Sequence, residues 1–163
     1  LMVAGTAAVG ALGQAASPRL ARYYAAGYVD AFCSLLLKLL GLGAVGGLLG
    51  IALAAVAGQQ IVALLFTADY AGNPSVLLLL AAAAGIGFMA SFLGYAMTAA
   101  RAFRIQAPLF GGVVILGVVA CAVLIPRYGL VGAAVATLLS ASCQFGGSAF
   151  VLRRCLQRGG GAL

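Results

Sequence analysis

The sequence predicts an all-α fold, a polytopic transmembrane helix bundle with about five spans. Of the 163 residues, 65% are hydrophobic and 7% are charged, with a mean hydropathy of +1.20, whereas a soluble domain carries about 25% charged residues. The apolar residues form long runs, and the basic residues stand singly or in pairs between them. Nucleic-acid binding needs instead a basic patch mixed with polar and aromatic residues. We therefore predict membrane lipids as partners and no nucleic acid.

Five apolar stretches account for the predicted spans, because about 20 residues at 1.5 Å each cross the ~30 Å hydrocarbon core of a bilayer. In chain order they are Met2–Ala16, Phe32–Ala57, Ser75–Ala100, Ala107–Ile125 and Leu130–Leu152. The first is shorter than a full crossing and Leu1 opens directly inside an apolar helix, so we expect a fragment whose missing part lies upstream. We predict a single bundle over residues 1–158 and a flexible tail over residues 159–163.

Two segments between the spans are predicted to lie at the membrane surface. Pro18–Ala31 combines paired arginines with three tyrosines, which is typical of an interfacial helix or loop at the lipid headgroups. Gln59–Tyr70 is amphiphilic and too short to cross again, so we expect a short interfacial helix there. The turn Asp69–Pro74 ends it, because Asp, Gly, Asn and Pro favour chain reversal.

Small residues recur at helix-packing spacing in the second and last spans. Gly43/Gly47 and Gly46/Gly50 form overlapping GxxxG pairs, which favour two packed faces. In the last two spans, Pro126 ends one helix and Gly129 accepts the conformation that reverses the chain, so a hairpin is expected. Gly132 lies on the small-residue ridge that follows this turn and is also predicted at a helix contact.

The basic residues predict the orientation of the bundle. Eight of the nine lie on one side of the predicted topology, and Arg127 stands alone on the other. Cytoplasmic loops carry the excess of Lys and Arg, so the eight-residue side and the C-terminal tail are predicted to be cytoplasmic. These eight are Arg19, Arg22, Lys38, Arg101, Arg104, Arg153, Arg154 and Arg158.

Catalytic chemistry has little support in this composition, and we predict that the chain is not an enzyme and holds no cofactor or metal. It contains no His and two carboxylates, Asp30 and Asp69, which are expected on opposite faces of the membrane. Paired-carboxylate, Ser-His-Asp and P-loop arrangements are therefore missing. The four cysteines show no CxxC spacing and are predicted to be unpaired, packed thiols.

Four polar residues within the apolar runs are candidates for a substrate path: Gln14, Lys38, Tyr95 and Gln144. Each also has a simpler interpretation. Lys38 lies close enough to the cytoplasmic edge to extend its ammonium group to the headgroups, and a cavity-facing role is the alternative. Gln144 fits a hydrogen bond between helices as well as a polar cavity, and the same two interpretations apply to Gln14 and Tyr95.

Four arginines are candidates for the cytoplasmic mouth of such a path: Arg19, Arg22, Arg101 and Arg104. Arginines in these positions commonly only set the topology of a membrane protein. Arg101 and Arg104 have a second interpretation as contacts for a phosphate group at the mouth.

Three segments resemble motifs of a known family. Ser17–Gly27 (SPRLARYYAAG) resembles the "P-x-L/I-A…G" cytoplasmic loop of the polysaccharide flippases, although Tyr28 follows where Asp or Asn is common. Leu64–Tyr70 (LLFTADY) resembles their "LLFG..Y" outer segment, with Thr67 in place of the usual Gly. Leu124–Thr137 (LIPRYGLVGAAVAT) is similar to their "L-I-P-x-x-G-x-x-G-A-A-x-A-T" hairpin, which is the most specific of the three.

The family is the multidrug/oligosaccharidyl-lipid/polysaccharide transporter superfamily, and the resemblance is to its polysaccharide biosynthesis C-terminal region. It implies the C-terminal lobe of a two-lobed flippase in the bacterial inner membrane, with a lipid-linked oligosaccharide as substrate. The other partner implied is the missing N-terminal lobe, because this family works by alternating access between two bundles. A multidrug or cation antiporter of the same superfamily and a non-transporting membrane scaffold are the alternatives. An antiporter should show intramembrane carboxylates, and a scaffold would not explain the motifs.

Overall fold

The computed structural model describes residues 2–65, 74–101 and 103–159, and it is all-helical over these ranges. The helices are α1 (Met2–Ala25), α2 (Val29–Leu65), α3 (Pro74–Ala99) and α4 (Phe103–Gly159). The described residues contain no strand, so the all-α prediction is confirmed. The predicted third span, Ser75–Ala100, matches α3 within one residue at each end. The predicted turn at residues 69–73 and the tail residues 160–163 lie outside the described residues.

Helix α4 is a hairpin of two antiparallel arms, residues 103–128 and 130–159. Gly129 has φ 58° and ψ −130°, a non-helical conformation that glycine adopts most readily. Contacts across the hairpin pair Gly132 with Leu124, Gly117 with Ser140 and Gly147 with Leu109. As residue numbers increase along the second arm, the numbers of their partners on the first arm decrease, as antiparallel packing requires. The predicted hairpin and its reversal at Gly129 are confirmed, although helical geometry continues through Pro126.

Three described helices are long and apolar enough to cross a membrane: Val29–Val56, Val76–Ala99 and Phe103–Gln157. This finding agrees with the predicted transmembrane character. The count of about five spans is not confirmed, because the third stretch of 55 residues includes both arms of α4 and α1 is not among the three.

The first two helices are longer than predicted. Helix α1 continues through Pro18 to Ala25, so the expected end at Ala16 is wrong. Pro18 removes one backbone hydrogen bond, but Leu20 after it is completely buried, and this packing holds the helix together. Helix α2 continues to Leu65, so a separate interfacial helix beginning at Gln59 is also wrong. Glutamine is a good helix former and does not interrupt α2.

Helix α3 lies at the centre and packs against each of the other three helices. Phe92 and Met97 of α3 are buried with Leu20 of α1 and Phe32 of α2. Val151 of the second α4 arm joins the same core. Helices α2 and α3 approach each other closely at Gly47 and Gly85, where an added Cβ would meet the other backbone.

A tight turn connects α1 to α2. The N–H of Tyr28 donates to the carbonyl of Tyr23 at 3.0 Å, and the N–H of Gly27 donates to Tyr24 at 3.2 Å. Gly27 has φ 73°, so this is a Schellman motif with glycine in the left-handed position. The up-and-down order of the helices puts this turn, the α3–α4 connection and the end of α4 at one end of the bundle. Eight of the nine basic residues lie toward that end.

Candidate functional site

An open groove of about 540 Å³ lies at the basic end of the bundle, between α1, the last turns of α3 and the beginning of α4. Its volume falls within the ~300–1,000 Å³ range of small-molecule sites. The described lining combines polar side chains, one cation and apolar side chains, and it includes no acidic residue. The lining residues are Gln14, Ser17, Pro18, Ala21, Tyr95, Thr98, Ala99, Arg101 and Phe103.

Tyr95 forms the wall shared by α1 and α3. A Cβ built on Gly13 would overlap ring carbons of Tyr95, and one built on Gly10 would lie 3.9 Å from its hydroxyl. The ring therefore lies along α1 in the space that a side chain at position 13 would fill. Glycine at this position lets α3 bring an aromatic residue against the α1 backbone, as close helix packing in membranes requires.

A small hydrogen-bond network fixes the start of α4 on the end of α3. The Gln106 amide Nε2 donates to Thr98 Oγ1 at 3.2 Å and to the Gly94 carbonyl at 3.4 Å. Thr98 Oγ1 donates to the same carbonyl at 3.0 Å. Because Thr98 lines the groove, these bonds also set the position of one groove hydroxyl.

Arg101 lies in the short connection between α3 and α4, and it is the only charged residue in the groove lining. Its φ is 56°, and it is the only residue other than glycine with positive φ in the described chain. Its N–H donates to the Thr98 carbonyl at 3.0 Å, which ends α3. The side chain is exposed, so its guanidinium is accessible to a ligand at the groove.

The groove brings together three of the predicted site residues, namely Gln14, Tyr95 and Arg101, and does not include the other five. Lys38 is exposed on α2, and Gln144 is half-buried on the second α4 arm. The remaining three arginines are exposed near the same end of the bundle but do not line the groove: Arg19, Arg22 and Arg104.

Sequence reasoning missed four residues that shape the groove. Ser17, Thr98 and Phe103 line it, and Gln106 holds its α4 edge in place. Their sequence signal is weak, because hydroxyls and an aromatic ring near helix ends are common in any membrane bundle. The buried Ser148, whose Oγ has no hydrogen-bond partner among the described residues, was also not singled out.

The described residues contain no group of three or more His, Cys, Asp or Glu that could hold a metal ion. No protein-family model matches this chain, and no curated protein or solved structure is detectably similar to it. Any functional conclusion therefore depends on the groove, the charge distribution and the sequence motifs.

Proposed function

We propose that this chain is one lobe of a bacterial inner-membrane transporter that moves a lipid-linked oligosaccharide across the bilayer for surface polysaccharide assembly. The second lobe belongs to the same transporter, and neither catalysis nor a cofactor is part of the proposal. The basic end of the bundle, with the C-terminal residues, faces the cytoplasm, because positive residues are retained on that side.

The hairpin is the observation that supports this proposal most directly. The segment Leu124–Thr137, which most resembles the polysaccharide flippases, forms the reversal of α4 and the following turns of its second arm. The small residues of the motif are the ones that pack: Gly132 lies against Leu124, and Ala134 and Ala136 are fully buried. The spacing of the small motif residues thus places them in helix contacts, as expected for a hairpin in a transporter lobe.

The distribution of exposed side chains is also suited to one lobe of a larger assembly. Large apolar residues are exposed along the outer face of α2, such as Leu48, and along the first arm of α4, such as Ile115 and Val118. In a membrane these faces contact lipid or another bundle. A flippase needs a shielded path for a polar headgroup, and families of this kind form it between two lobes that rock against each other. The described chain has few polar intramembrane residues to line such a path alone.

The test is export of surface polysaccharide in a strain that lacks its own flippase. Residues 1–163 are expressed alone and joined to the upstream coding sequence, with membrane insertion measured in both cases. We expect insertion of both proteins and export only by the longer one. Export by residues 1–163 alone would contradict the one-lobe proposal, and failure of the longer, inserted protein would favour a non-transporting scaffold.

A further inference from the structure

We propose that the groove at the α3–α4 connection binds the phosphate headgroup of an anionic glycerophospholipid, with Arg101 as the charge contact. This inference does not depend on oligosaccharide transport. It follows from the charge in the groove, the backbone at Arg101, the mixed polar and apolar lining, and the position of the groove in the bundle.

The charge in the groove favours an anion. Among the described residues that line the groove, Arg101 is the only charged one, and none is a carboxylate that could neutralise it. A guanidinium forms a planar pair of hydrogen bonds with phosphate oxygens, which makes Arg suited to this ligand. Helix α4 begins at Phe103, also in the lining, so the positive end of its dipole adds to the same attraction.

The backbone at Arg101 indicates that the arginine is placed there for its side chain. Two helices end at this end of the bundle on a left-handed residue: α1 uses Gly27 with φ 73°, and α3 uses Arg101 with φ 56°. The left-handed conformation is strained for a residue with a Cβ, and Gly or Asn is the usual choice. Strained positions of this kind are concentrated at binding sites, where the side chain has a task that glycine cannot perform.

The walls fit an amphiphile better than free phosphate. Ser17, Thr98 and Gln14 supply polar groups, and the Tyr95 ring supplies an aromatic surface. The rest of the lining is apolar and consists of Pro18, Ala21, Ala99 and Phe103. A lining with both kinds of residue matches a headgroup with the upper part of its glycerol and acyl chains.

The position of the groove matches the headgroup layer. It lies where α1 approaches its end, α3 ends and α4 begins, at the end of the bundle that carries eight of the nine basic residues. Basic residues next to membrane spans attract anionic lipids. Because the groove is open rather than enclosed, a ligand can reach it without crossing the protein.

The experiment uses the fact that the chain contains no Trp. A Phe103→Trp variant provides a single fluorophore in the groove lining, and bilayers contain phosphatidylglycerol or phosphatidylcholine brominated near the top of the acyl chains. Quenching gives the relative affinity of the two lipids. We expect a preference of about fivefold for phosphatidylglycerol, because the choline cation of phosphatidylcholine offsets the charge of its phosphate. About fivefold is what one basic side chain contributes at an anionic membrane surface.

Two further variants isolate the role of Arg101. Arg101→Asn removes the charge but keeps a residue that accepts positive φ, and we expect it to abolish the preference. Arg104→Asn is the matched control, because Arg104 is exposed nearby but does not line the groove; the preference should be retained. Circular dichroism and elution volume verify that both variants fold. A preference unchanged by Arg101→Asn, or lost equally in both variants, would overturn the proposal.

Competition distinguishes this ligand from the other sources of phosphate. We expect inorganic phosphate to leave the quenching by brominated phosphatidylglycerol unchanged. If inorganic phosphate relieves that quenching, the site takes a soluble anion and the lipid proposal is wrong. Displacement by a polyprenyl phosphate at a much lower molar fraction would likewise overturn the choice of a glycerophospholipid. Phosphatidylglycerol bound to the purified parent chain in native mass spectrometry verifies that the Phe103→Trp change did not create the site.

Discussion

The contact between Gly47 of α2 and Gly85 of α3 offers a sharp test of the packing. A Cβ on Gly47 would lie 2.7 Å from the Cα of Gly85, and a Cβ on Gly85 would lie 2.9 Å from the Cα of Gly47. Carbon atoms pack best at about 3.5–4.0 Å. Because the obstructing atom belongs to the backbone, no rotamer change relieves the overlap. Gly47→Ala must therefore separate the two helices locally by roughly 1 Å.

The expected cost can be separated from the general effect of removing glycine. Overpacking of this kind costs about 1–3 kcal/mol, whereas Gly→Ala within a helix favours folding by up to about 1 kcal/mol. Gly46→Ala is the matched control, since it is one residue away on the same helix and its Cβ would have nothing within 4 Å. The difference in free energy of unfolding between the two variants isolates the steric term. We expect Gly47→Ala to be about 1–3 kcal/mol less stable than Gly46→Ala.

Unfolding in mixed micelles with increasing denaturing detergent measures this difference. Combining Gly47→Ala with Gly85→Ala adds a second test, because helices already separated by the first methyl group accommodate the second at lower cost. The double variant should lose less stability than the sum of the single losses. A Gly47→Ala protein as stable as Gly46→Ala would show that α2 and α3 do not meet at these glycines.

Three further predictions address the charge, the turn and the orientation. Lys38→Leu should change the unfolding free energy by less than about 0.5 kcal/mol, because Lys38 is exposed and leaves no buried partner unpaired; a larger loss would place it in a polar contact. Gly129→Ala should destabilise by about 1–3 kcal/mol in the same assay because of its φ and ψ, whereas Gly111→Ala, in open space, should not. Tyr28 and Tyr128 are each 65% exposed, so a cysteine at either position should be accessible to a labelling reagent. In a background without native cysteines, Tyr28→Cys and Tyr128→Cys should be labelled from opposite sides of the membrane, with Tyr28→Cys on the cytoplasmic side. Labelling of both from the same side would contradict the topology.

The helices and the hairpin were accessible to sequence reasoning because they depend on local properties. Apolar length predicted α3 almost to the residue, and Gly129 predicted where α4 reverses, although Pro126 does not end its first arm. Where a helix continues past a proline was harder to predict from the sequence. Pro18 carries a local signal to end α1, but the helix continues because Leu20 beyond it is completely buried. Tertiary packing therefore determined where α1 ends, and a prediction from local helix propensity does not include this packing.

Glycine spacing predicted two packed faces on α2, and the structure shows contacts at only one of them. Of the two predicted ridges, Gly43 packs against Met89 and Phe92 and Gly47 packs against Gly85, whereas Gly46 and Gly50 have nothing within 4 Å of an added Cβ. The two ridges are adjacent on the helix and have the same sequence signal. Only the rotation of α2 about its axis distinguishes them, and that rotation is set by the whole core.

The groove also depends on tertiary packing that the sequence pattern does not show. Gln14 and Tyr95 were recognisable as polar groups in apolar helices, but their meeting depends on Gly13, whose missing side chain gives the Tyr95 ring its place. The connection after α3 is short, and the bonds from Gln106 hold the start of α4 on α3.

Helix α1 packs against α2 and α3 and has no extensive contact with α4. The resulting space is bordered by the connection that carries Arg101. A glycine at position 101 would form the same turn with less strain, and it would leave the groove without its cation. The choice of arginine at that position, more than any pattern in the apolar runs, is why we infer an anionic ligand there.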